Sequence, residues 1–300
     1  MRSMTHQSIF ASGLFRDRVA IVTGGATGIG LAIAEELVAL GAHVVIASRK
    51  AERLTTAARG LSAEYKNEVV PFVCNIRERA QVEGLVDATL ERFGRLDFIV
   101  NNGGGQFLSP ATSITEKGWH AVIETNLTGT WNMCQVAAQK WMLAHGGKIV
   151  SIVADMWRGF PGMVHTGAAR AGVVNMTQTL AIEWAAHRIQ LNCVAPGVIL
   201  TTGMHNYPPG MIERVMRTIP QKRLGSPAEV AAAVTYLLSP AAGFVTGETI
   251  KVDGGASLWG ESWPIADLPP SAESVKIPPW PEERWPEHAV PKAPAGENEG

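Results

Sequence analysis

The pattern of hydrophobic and polar positions is clearest near the start of the chain, between residues 19 and 38. The largely apolar run from Val19 to Thr23 predicts a strand buried on both faces. A glycine-rich stretch, GGATGIG, follows it directly. Apolar side chains then recur at the spacing of one helix face, at Leu31, Ala34, Leu37 and Val38. This region is therefore predicted to form a strand, a glycine turn and a helix in direct succession.

The same alternation continues along most of the chain. Six further apolar runs predict strands: HVVIASRK, VVPFVCNI, LDFIVNN, GKIVSIV, IQLNCVAPG and ETIKVDGG. Between these runs, apolar residues recur at the spacing of helices. Strands that alternate with helices predict an α/β fold, a doubly wound seven-stranded parallel sheet with helices on both faces. Ligands of such sheets bind beyond the carboxyl ends of the strands.

Three segments depart from this alternation. The helical pattern from Thr115 to about Ala144 is interrupted near Leu127 to Gly129. Residues 201–220 combine adjacent prolines with apolar side chains, which predicts either a mobile lid over an apolar ligand or a surface excursion with a short core helix. From about Ala256 the chain is rich in proline and tryptophan and has no periodicity. This irregular tail either packs through its near half, on this or a neighbouring subunit, or is disordered throughout.

Composition narrows the class of protein. The 300 residues are 46% hydrophobic, enough for one sizeable core, and we predict a single domain over 1–255 with an extension over 256–300. The 26 Lys and Arg nearly balance the 27 Asp and Glu, so neither nucleic acid nor a membrane surface is an expected partner, and a small molecule is. Cys74, Cys134 and Cys193 lie in apolar runs without metal-ligand spacing, so neither a disulfide nor a metal site is predicted. Without a signal-like or membrane-spanning stretch, a cytoplasmic location is expected.

The first glycine turn is a candidate nucleotide site. Glycines at 24, 28 and 30 permit a tight turn and a close approach of backbone to pyrophosphate, which binds at the positive end of the following helix. The same glycines also suit a turn that is merely tightly packed. Taken alone, they are weak evidence for a nucleotide.

Further motifs give this turn a context. They are TGGATGIG (Thr23 to Gly30), NNGG (Asn101 to Gly104), ETNLTG (Glu124 to Gly129) and PGVILT (Pro196 to Thr201). With them, the chain from about Leu14 to Gly255 resembles the short-chain dehydrogenase/reductase superfamily, which has the Rossmann fold. The stretches ASRKAERL, NNGGGQFLSPA and HTGAARAGV are similar to peroxisomal trans-2-enoyl-CoA reductases. The opening QSIF and the stretch ADMW resemble bacterial citronellol and citronellal dehydrogenases.

The resemblance implies a cofactor-binding set. Gly24, Thr27, Gly28 and Ile29 would contact the pyrophosphate, and Asn75 and Ile76 the adenine. Asn102, Gly103 and Gly104 would lie along the adenosine ribose and diphosphate, and Pro196, Gly197, Ile199 and Thr201 would hold the nicotinamide amide. Asn126 would open the long helix and hold a water of the proton relay, with a plain capping role as the alternative.

The catalytic set of the superfamily is incomplete in this chain. That set is a serine, a tyrosine and, four residues later, a lysine, and the corresponding residues here are Val153, Thr166 and Arg170. A threonine hydroxyl cannot replace a phenol as an acid, because its pKa is far higher, whereas Arg170 can hold the nicotinamide ribose as a fixed cation. Asp155 either orients substrate or relays a proton, or it caps a loop. His165 is either a proton donor or a solvent-facing residue at a helix start.

The end of the second predicted strand bears on the cofactor. It reads Ala47, Ser48, Arg49 and has no acidic residue to bind a ribose 2′-hydroxyl, which favours NADP(H) over NAD(H). Ser48 and Arg49 therefore join the cofactor set, and Arg49 would bind the 2′-phosphate. The alternative is that Arg49 and Lys50 are simply a solvated pair of cations.

We therefore expect an NADP-dependent reductase of the trans-2-enoyl-CoA reductase type. Its substrate would be the double bond of an enoyl thioester or a related acyclic compound, an acyl-CoA or a terpenoid. The alternatives are a citronellol/citronellal-type dehydrogenase and a catalytically weak NADP-binding protein. The resemblance also implies a homo-oligomer, most often a tetramer, in which the long helices pair between subunits. Four apolar residues would otherwise form an exposed patch: Met133, Val136, Ala137 and Trp141.

Overall fold

One parallel sheet forms the centre of the molecule. The computed structural model describes residues 8–201, 211–260 and 264–265, without the side chains of 211–213. The sheet has seven strands, the number that the sequence predicts. Their bounds are β1 Val19–Thr23, β2 His43–Ser48, β3 Val69–Val73, β4 Phe98–Asn101, β5 Gly147–Ile152, β6 Ile189–Pro196 and β7 Thr249–Val252. Across the sheet they follow the order β3-β2-β1-β4-β5-β6-β7.

Helices connect successive strands. Their bounds are α1 Gly28–Ala39, α2 Ala51–Tyr65, α3 Arg79–Phe93, α4 Glu116–Ile123, α5 Gly129–Ala137, α6 Leu143–His145, α7 Val164–Glu183, α8 Met211–Thr218 and α9 Pro227–Leu238. The predicted doubly wound α/β fold is thus confirmed. Because the strand order reverses between β1 and β4, a crevice opens at the carboxyl ends of these two strands, where such sheets bind their ligands.

Apolar packing covers both faces of the sheet. Leu37 of α1 and Val234 of α9 belong to the cluster on one face, and Leu85 of α3 to the cluster on the other. Every residue of β1 is buried, as its apolar run predicts. The free thiols of the three cysteines are also buried, as expected for core residues.

The predicted exposed patch on the long helix is wrong. Met133, Val136 and Ala137 are at most 1% exposed, and Trp141 packs against the same cluster. Their helix turns its apolar face toward β4 and β5, where Ile99 and Ile149 complete that cluster. These four residues therefore give no support to an oligomer.

The long helix is interrupted as predicted. Between α4 and α5 lies a wide turn, Glu124–Thr128, and a second wide turn, Ala138–Met142, separates α5 from α6. Turns of this kind contain one residue more than an ordinary helical turn and recur at functional sites. Helix α7 ends at Glu183, where a tight turn over Ala185–His187 follows and Arg188 adopts a φ of 58°.

Parts of two predictions fall outside the described residues. Residues 202–210 of the predicted lid and most of the tail beyond 260 are among them, so the lid and the boundary at residue 255 stay predictions. Among the residues that are described, no helix is long and apolar enough to cross a membrane. The same residues contain no group of three or more His, Cys, Asp or Glu that could hold a metal ion.

Candidate active site

The glycine turn after β1 is shaped by its own backbone. Gly24 has a φ of +67° and donates its N–H to the Ala47 carbonyl at 2.7 Å. A Cβ on Gly30 would lie 2.3 Å from the Gly24 carbonyl oxygen, so only glycine fits there. Thr27 caps α1, yet its side chain makes no capping hydrogen bond, and the first turn of α1 has no acidic residue. The positive end of α1 is therefore open to an anion such as a pyrophosphate.

The loop after β4 is tied to this turn. The backbone N–H groups of Asn102 and Gly103 donate to Thr23 Oγ1 at 3.0 and 2.8 Å. The Asn102 side chain donates to the carbonyls of Thr23 and Gly24 at 3.0 and 3.3 Å. Asn102 thus shapes the loop with its amide group, and the NNGG motif reflects this bridge between β1 and β4.

The residues predicted to hold the adenosine end come together at the ends of β2 and β3. The Ser48 carbonyl accepts the Cys74 N–H at 2.9 Å, which sets Asn75 and Ile76 beside Ser48 and Arg49. Asn75 Oδ1 accepts the Arg77 N–H at 3.3 Å, and the Arg49 side chain is exposed. This corner of the crevice therefore has an accessible cation and no acidic residue at the end of β2.

The loop after β6 closes the opposite side of the crevice. Gly197 donates its N–H to the Val252 carbonyl at 2.9 Å and lies so close to Asp253 that a Cβ would be 2.8 Å from the Asp253 Cα. Ile199 is paired with Gly225, and Thr201 Cγ2 is 3.6 Å from the position of a Cβ on Gly28. The PGVILT motif therefore lies directly against the glycine turn.

Arg170 and Asn126 converge on Gly104. A Cβ on Gly104 would lie 2.4 Å from Arg170 Nη2 and 2.6 Å from Asn126 Oδ1. Asn126 is fully buried in the wide turn and is fixed by Gly105, whose carbonyl accepts from its Nδ2 at 2.7 Å and whose N–H donates to its Oδ1 at 3.2 Å. The sequence predicted these residues separately. Only the fold shows that Gly104, the second glycine of NNGGG, makes room for both side chains.

Arg170 is a buried cation. The residue is 8% exposed, and its guanidinium donates from Nη1 to the Ile152 carbonyl at 2.9 Å. Burial lowers the pKa of Arg170 to about 10, so the group stays protonated at neutral pH. No carboxylate of the described residues forms an ion pair with it. A buried cation with donors to spare suits the hydroxyl groups of a bound ribose.

Thr166, at the position of the superfamily's tyrosine, and its neighbour His165 are both fully buried. Thr166 donates its backbone N–H to His165 Nδ1 at 2.8 Å, so a neutral imidazole carries its proton on Nε2. This Nε2 is buried without a hydrogen-bond partner among the described residues, and the ring lies edge-on to Phe107 at 4.5 Å. The alternative of a solvent-facing His165 is therefore wrong. Val153, at the serine position, is buried and has no polar atom to offer.

Asp155 lies among other charged residues than Arg170 does. Its backbone N–H donates to the Pro196 carbonyl at 3.1 Å. Burial, together with the nearby carboxylate of Asp253, raises the pKa of Asp155, while Lys251 and Arg158 act in the opposite direction. The structure therefore groups Asp155 with charges at the ends of β5 and β7. The contacts that join Arg170, Asn126 and Gly104 do not include it.

Fold and crevice together define a nucleotide-dependent oxidoreductase. Residues 24–257 match the family described as enoyl-(acyl carrier protein) reductase, and the chain belongs to the short-chain dehydrogenase/reductase superfamily.

Two relatives are named for dienoyl-CoA reduction, and one solved structure is named for citronellol catabolism. The peroxisomal 2,4-dienoyl-CoA reductase [(3E)-enoyl-CoA-producing] of Danio rerio is 39% identical over 86% of this chain and 87% of its own. A probable 2,4-dienoyl-CoA reductase [(2E)-enoyl-CoA-producing] of Bacillus subtilis is 36% identical over 80% and 97%. The solved structure of the citronellol catabolism dehydrogenase AtuB of Pseudomonas aeruginosa PAO1 is 44% identical, with a TM-score of 0.76 over 84% of this chain and 100% of that one.

Proposed function

We propose that the protein is an NADP-dependent reductase of a carbon–carbon double bond conjugated to a thioester carbonyl. The observation that carries this proposal is the buried Thr166 at the position of the usual acid, in a crevice that otherwise keeps the cofactor-binding motifs. Relatives named as 2,4-dienoyl-CoA reductases support it, since they match along more than four-fifths of their own length. A 2,4-dienoyl thioester is accordingly added to the 2-enoyl thioester as an expected substrate.

The reaction explains why a phenol is dispensable. Reduction of a 2,4-dienoyl thioester to a 3-enoyl thioester adds a hydride at C5 and a proton at C2, and negative charge develops on the thioester oxygen in between. For a 2-enoyl thioester the hydride goes to C3. Because the proton goes to carbon in both cases, the protein needs fixed hydrogen-bond donors for the developing enolate more than a strong acid.

The residues present fit the cofactor. The open end of α1 would hold the pyrophosphate, Arg170 the nicotinamide ribose and the loop from Pro196 to Thr201 the nicotinamide amide. When bound, NADPH supplies the hydride. The chain itself positions the reacting carbon, excludes water and provides donors.

His165 is the donor that we assign to the enolate or to its proton transfer. Its Nε2–H is buried, has no partner among the described residues and lies on the residue next to Thr166. His165→Ala is expected to lower kcat by roughly 10²-fold, the scale of general acid catalysis, while Thr166→Ala has a much smaller effect. Unchanged kcat in His165→Ala would remove this assignment.

The preference for NADP(H) rests on Arg49. Loss of one charge-assisted contact costs about 1.5–3 kcal/mol, which is about 10- to 150-fold in affinity, so Arg49→Ala should lose most of its discrimination against NADH. Arg59→Ala, an exposed arginine farther along α2, is the matched control. Equal kcat/KM for NADPH and NADH in the unmodified protein would contradict the preference.

A second candidate function is the oxidation of an acyclic terpenoid alcohol or the reduction of its aldehyde. The similarity to AtuB, 44% identity over the whole length of that chain, favours it.

One panel separates the candidates. We expect kcat/KM with NADPH to be highest for 2,4-hexadienoyl-CoA or crotonyl-CoA and at least tenfold lower for citronellal. The opposite order would establish the second candidate. Binding of NADPH without turnover of any compound would indicate a protein that has lost catalysis.

A further inference from the structure

Residues 74–77 follow β3 in the corner of the crevice expected to hold the adenosine end of the cofactor, and we call them the adenosine segment. This segment is tied to the wide turn between α4 and α5. Arg77 Nη2 forms an ion pair at 2.6 Å with Oε2 of Glu124, the first residue of that turn. The Asn132 side chain of α5 donates to the carbonyls of Ile76 and Arg77 at 3.0 and 3.4 Å. Directed contacts therefore join the segment to the long helix at two places.

Ile76 packs directly against the backbone at the end of the wide turn. A Cβ on Gly129, the residue after the turn, would lie 2.6 Å from Ile76 Cγ1. A Cβ on Gly103 would lie 3.4 Å from Ile76 Cδ1, so the same side chain also contacts the loop after β4. Close-packed atoms transmit displacement, because no empty space takes up the shift. A movement of the adenosine segment would therefore displace the wide turn.

The middle of the same turn carries Asn126. Its side chain exchanges two hydrogen bonds with the backbone of Gly105, and its Oδ1 lies beside Gly104 together with the Arg170 guanidinium. Asn126 is two residues from Glu124 along the turn. One short element thus contacts the adenosine segment on one side and the surroundings of Arg170 on the other.

The ion pair is directional but only partly buried. The side chains of Arg77 and Glu124 are 34% and 40% exposed, and ion pairs in such surroundings contribute little to the stability of a fold. Arg77 Nε is buried and has no hydrogen-bond partner among the described residues, so the guanidinium depends on Glu124 for its charge-assisted bond. Loss of this pair should therefore alter the position of the turn more than the stability of the protein.

We propose that Arg77 and Glu124 are positioning residues, which hold Asn126 in register with Arg170 when the adenosine end of the cofactor is bound. This inference rests on the proposed function and adds how the far end of the cofactor acts on the reacting end. The two residues before Arg77 are those expected to contact the adenine. A bound adenine would restrain the adenosine segment, and the ion pair would pass this restraint to the wide turn. Small misplacements of site residues lower turnover strongly, so the coupling should be visible in kcat.

A cofactor supplied in two pieces tests the coupling. Reduced nicotinamide mononucleotide carries the hydride and lacks the adenosine end, which adenosine 2′,5′-bisphosphate supplies separately. AMP replaces the bisphosphate if NADH proves to be the preferred cofactor. With the best substrate of the panel above, a saturating adenosine fragment should raise kcat with the mononucleotide at least about tenfold in the unmodified protein. In Arg77→Ala and in Glu124→Gln the rise should be less than about twofold.

A reversed pair and a neighbouring arginine complete this test. Arg77→Glu/Glu124→Arg restores opposite charges and should regain at least about half of the activation. Arg79→Ala is the matched control, because Arg79 donates to Gln135 and Gln139 of the long helix at 2.5 and 3.1 Å and makes no ion pair with Glu124. It should keep the full activation. Equal activation in every variant, or none in the unmodified protein, would overturn the proposal.

Hydrogen exchange keeps the test independent of turnover. The adenosine fragment alone should slow amide exchange in peptides covering residues 124–130 by at least about fivefold in the unmodified protein and have little effect in Glu124→Gln. If the unmodified protein reduces no substrate, the proposed function fails, and the exchange measurement still decides whether the two regions are coupled. Unchanged exchange in the unmodified protein, or equal slowing in Glu124→Gln, would refute the coupling.

Discussion

Thr166 and Arg170 lie one helical turn apart on α7, and they differ from the usual tyrosine and lysine in different ways. Thr166 stands where the superfamily has a tyrosine and offers no phenol to act as an acid. Arg170 stands where it has a lysine and keeps a positive charge, although the residue is 8% exposed. Burial lowers the pKa of Arg170 to about 10, a value that leaves it charged at neutral pH. The position of the usual acid therefore holds a weakly acidic hydroxyl, while the position of the usual lysine holds a buried cation.

Removal of the Arg170 charge should weaken the binding of NADPH. Arg170→Ala is expected to weaken NADPH binding by about 10- to 150-fold, because one charge-assisted contact contributes roughly 1.5–3 kcal/mol. Arg170→Lys keeps the charge and should retain most of the affinity. Fluorescence titration of both variants checks this, with thermal unfolding of the apoprotein as a control for the lost hydrogen bond to Ile152. Similar affinities in all three proteins would show that Arg170 does not contact the cofactor.

Two neighbouring glycines provide a matched pair. A Cβ on Gly104 would displace Arg170 Nη2 and Asn126 Oδ1, which are the ends of side chains, so Gly104→Ala should disturb the site more than the fold. We expect turnover to fall by on the order of 10- to 100-fold. A Cβ on Gly105 meets nothing within 4 Å, and Gly105→Ala should behave like the unmodified protein. Steady-state kinetics of both variants decides; an equal effect, or none, would contradict the convergence on Gly104.

Motifs of the superfamily identified Arg170, Asn126 and the glycine turn as candidate site residues. The structure brings Arg170 and Asn126 together at Gly104. The burial of His165 could not be found in this way, because the solvent exposure of a helix start depends on whether another loop covers it. Phe107, far away in sequence, does so here. Likewise, the apolar pattern that includes Met133 and Val136 is the same for a helix face packed on the sheet and for one packed on another subunit.

At the scale of elements, the strands were predictable because a sheet covered on both faces requires continuous apolar runs. The wide turn at Glu124–Thr128 was foreseen only as an interruption, because its hydrogen bonds involve Gly105 of a distant loop. No sequence motif marked the hydrogen bonds that join the amino ends of β1 and β4. Asp97 accepts hydrogen bonds there from Arg18, from Arg95 and from the Val19 N–H.

Asp97 should give the fold an acid-dependent component of stability. Burial alone would raise the pKa of Asp97, but the hydrogen bonds from Arg95, Val19 and Arg18 outweigh it and lower the pKa below its usual 3.8. A lowered pKa in the folded state means that this stabilisation is present above that usual value. It is lost as the pH falls through the lower folded value.

Asp97→Asn is therefore expected to reduce the free energy of unfolding by about 1–3 kcal/mol at pH 7 and by less at pH 3. Urea unfolding across this pH range measures it. Asp87→Asn, which removes an exposed ion pair with Lys140, is the control and should cost less than about 1 kcal/mol. A constant difference between Asp97→Asn and the unmodified protein at all pH values would argue against the ionised network.

At the scale of the whole molecule, the predicted cofactor residues that follow β1, β2, β3, β4 and β6 lie at one end of the strands. This is a consequence of topology, since all strands are parallel and their carboxyl ends meet at the same side. The same topology leaves β7 at one edge of the sheet, where its partner among the described residues is β6. Next to it, Phe244 is fully exposed and Tyr236 of α9 is 37% exposed.

This edge is where we expect the homo-oligomer to form. An open strand edge beside exposed aromatic side chains is a surface that favours association. Light scattering at micromolar concentration should give a mass of at least two chains, and Phe244→Asp should shift it toward one chain without a change in the circular dichroism spectrum. A monomeric mass for the unmodified protein would refute the expectation.

The central claim is that hydride is delivered to a carbon of an unsaturated acyl chain. The most direct measurement uses NADPH deuterated at the transferable position, with 2,4-hexadienoyl-CoA and citronellal supplied together and the products analysed by mass spectrometry. We predict deuterium at C5 of the acyl product, or at C3 when crotonyl-CoA replaces the dienoyl thioester, and little label in citronellol. Deuterium confined to C1 of citronellol, with both thioesters unlabelled, would contradict the claim.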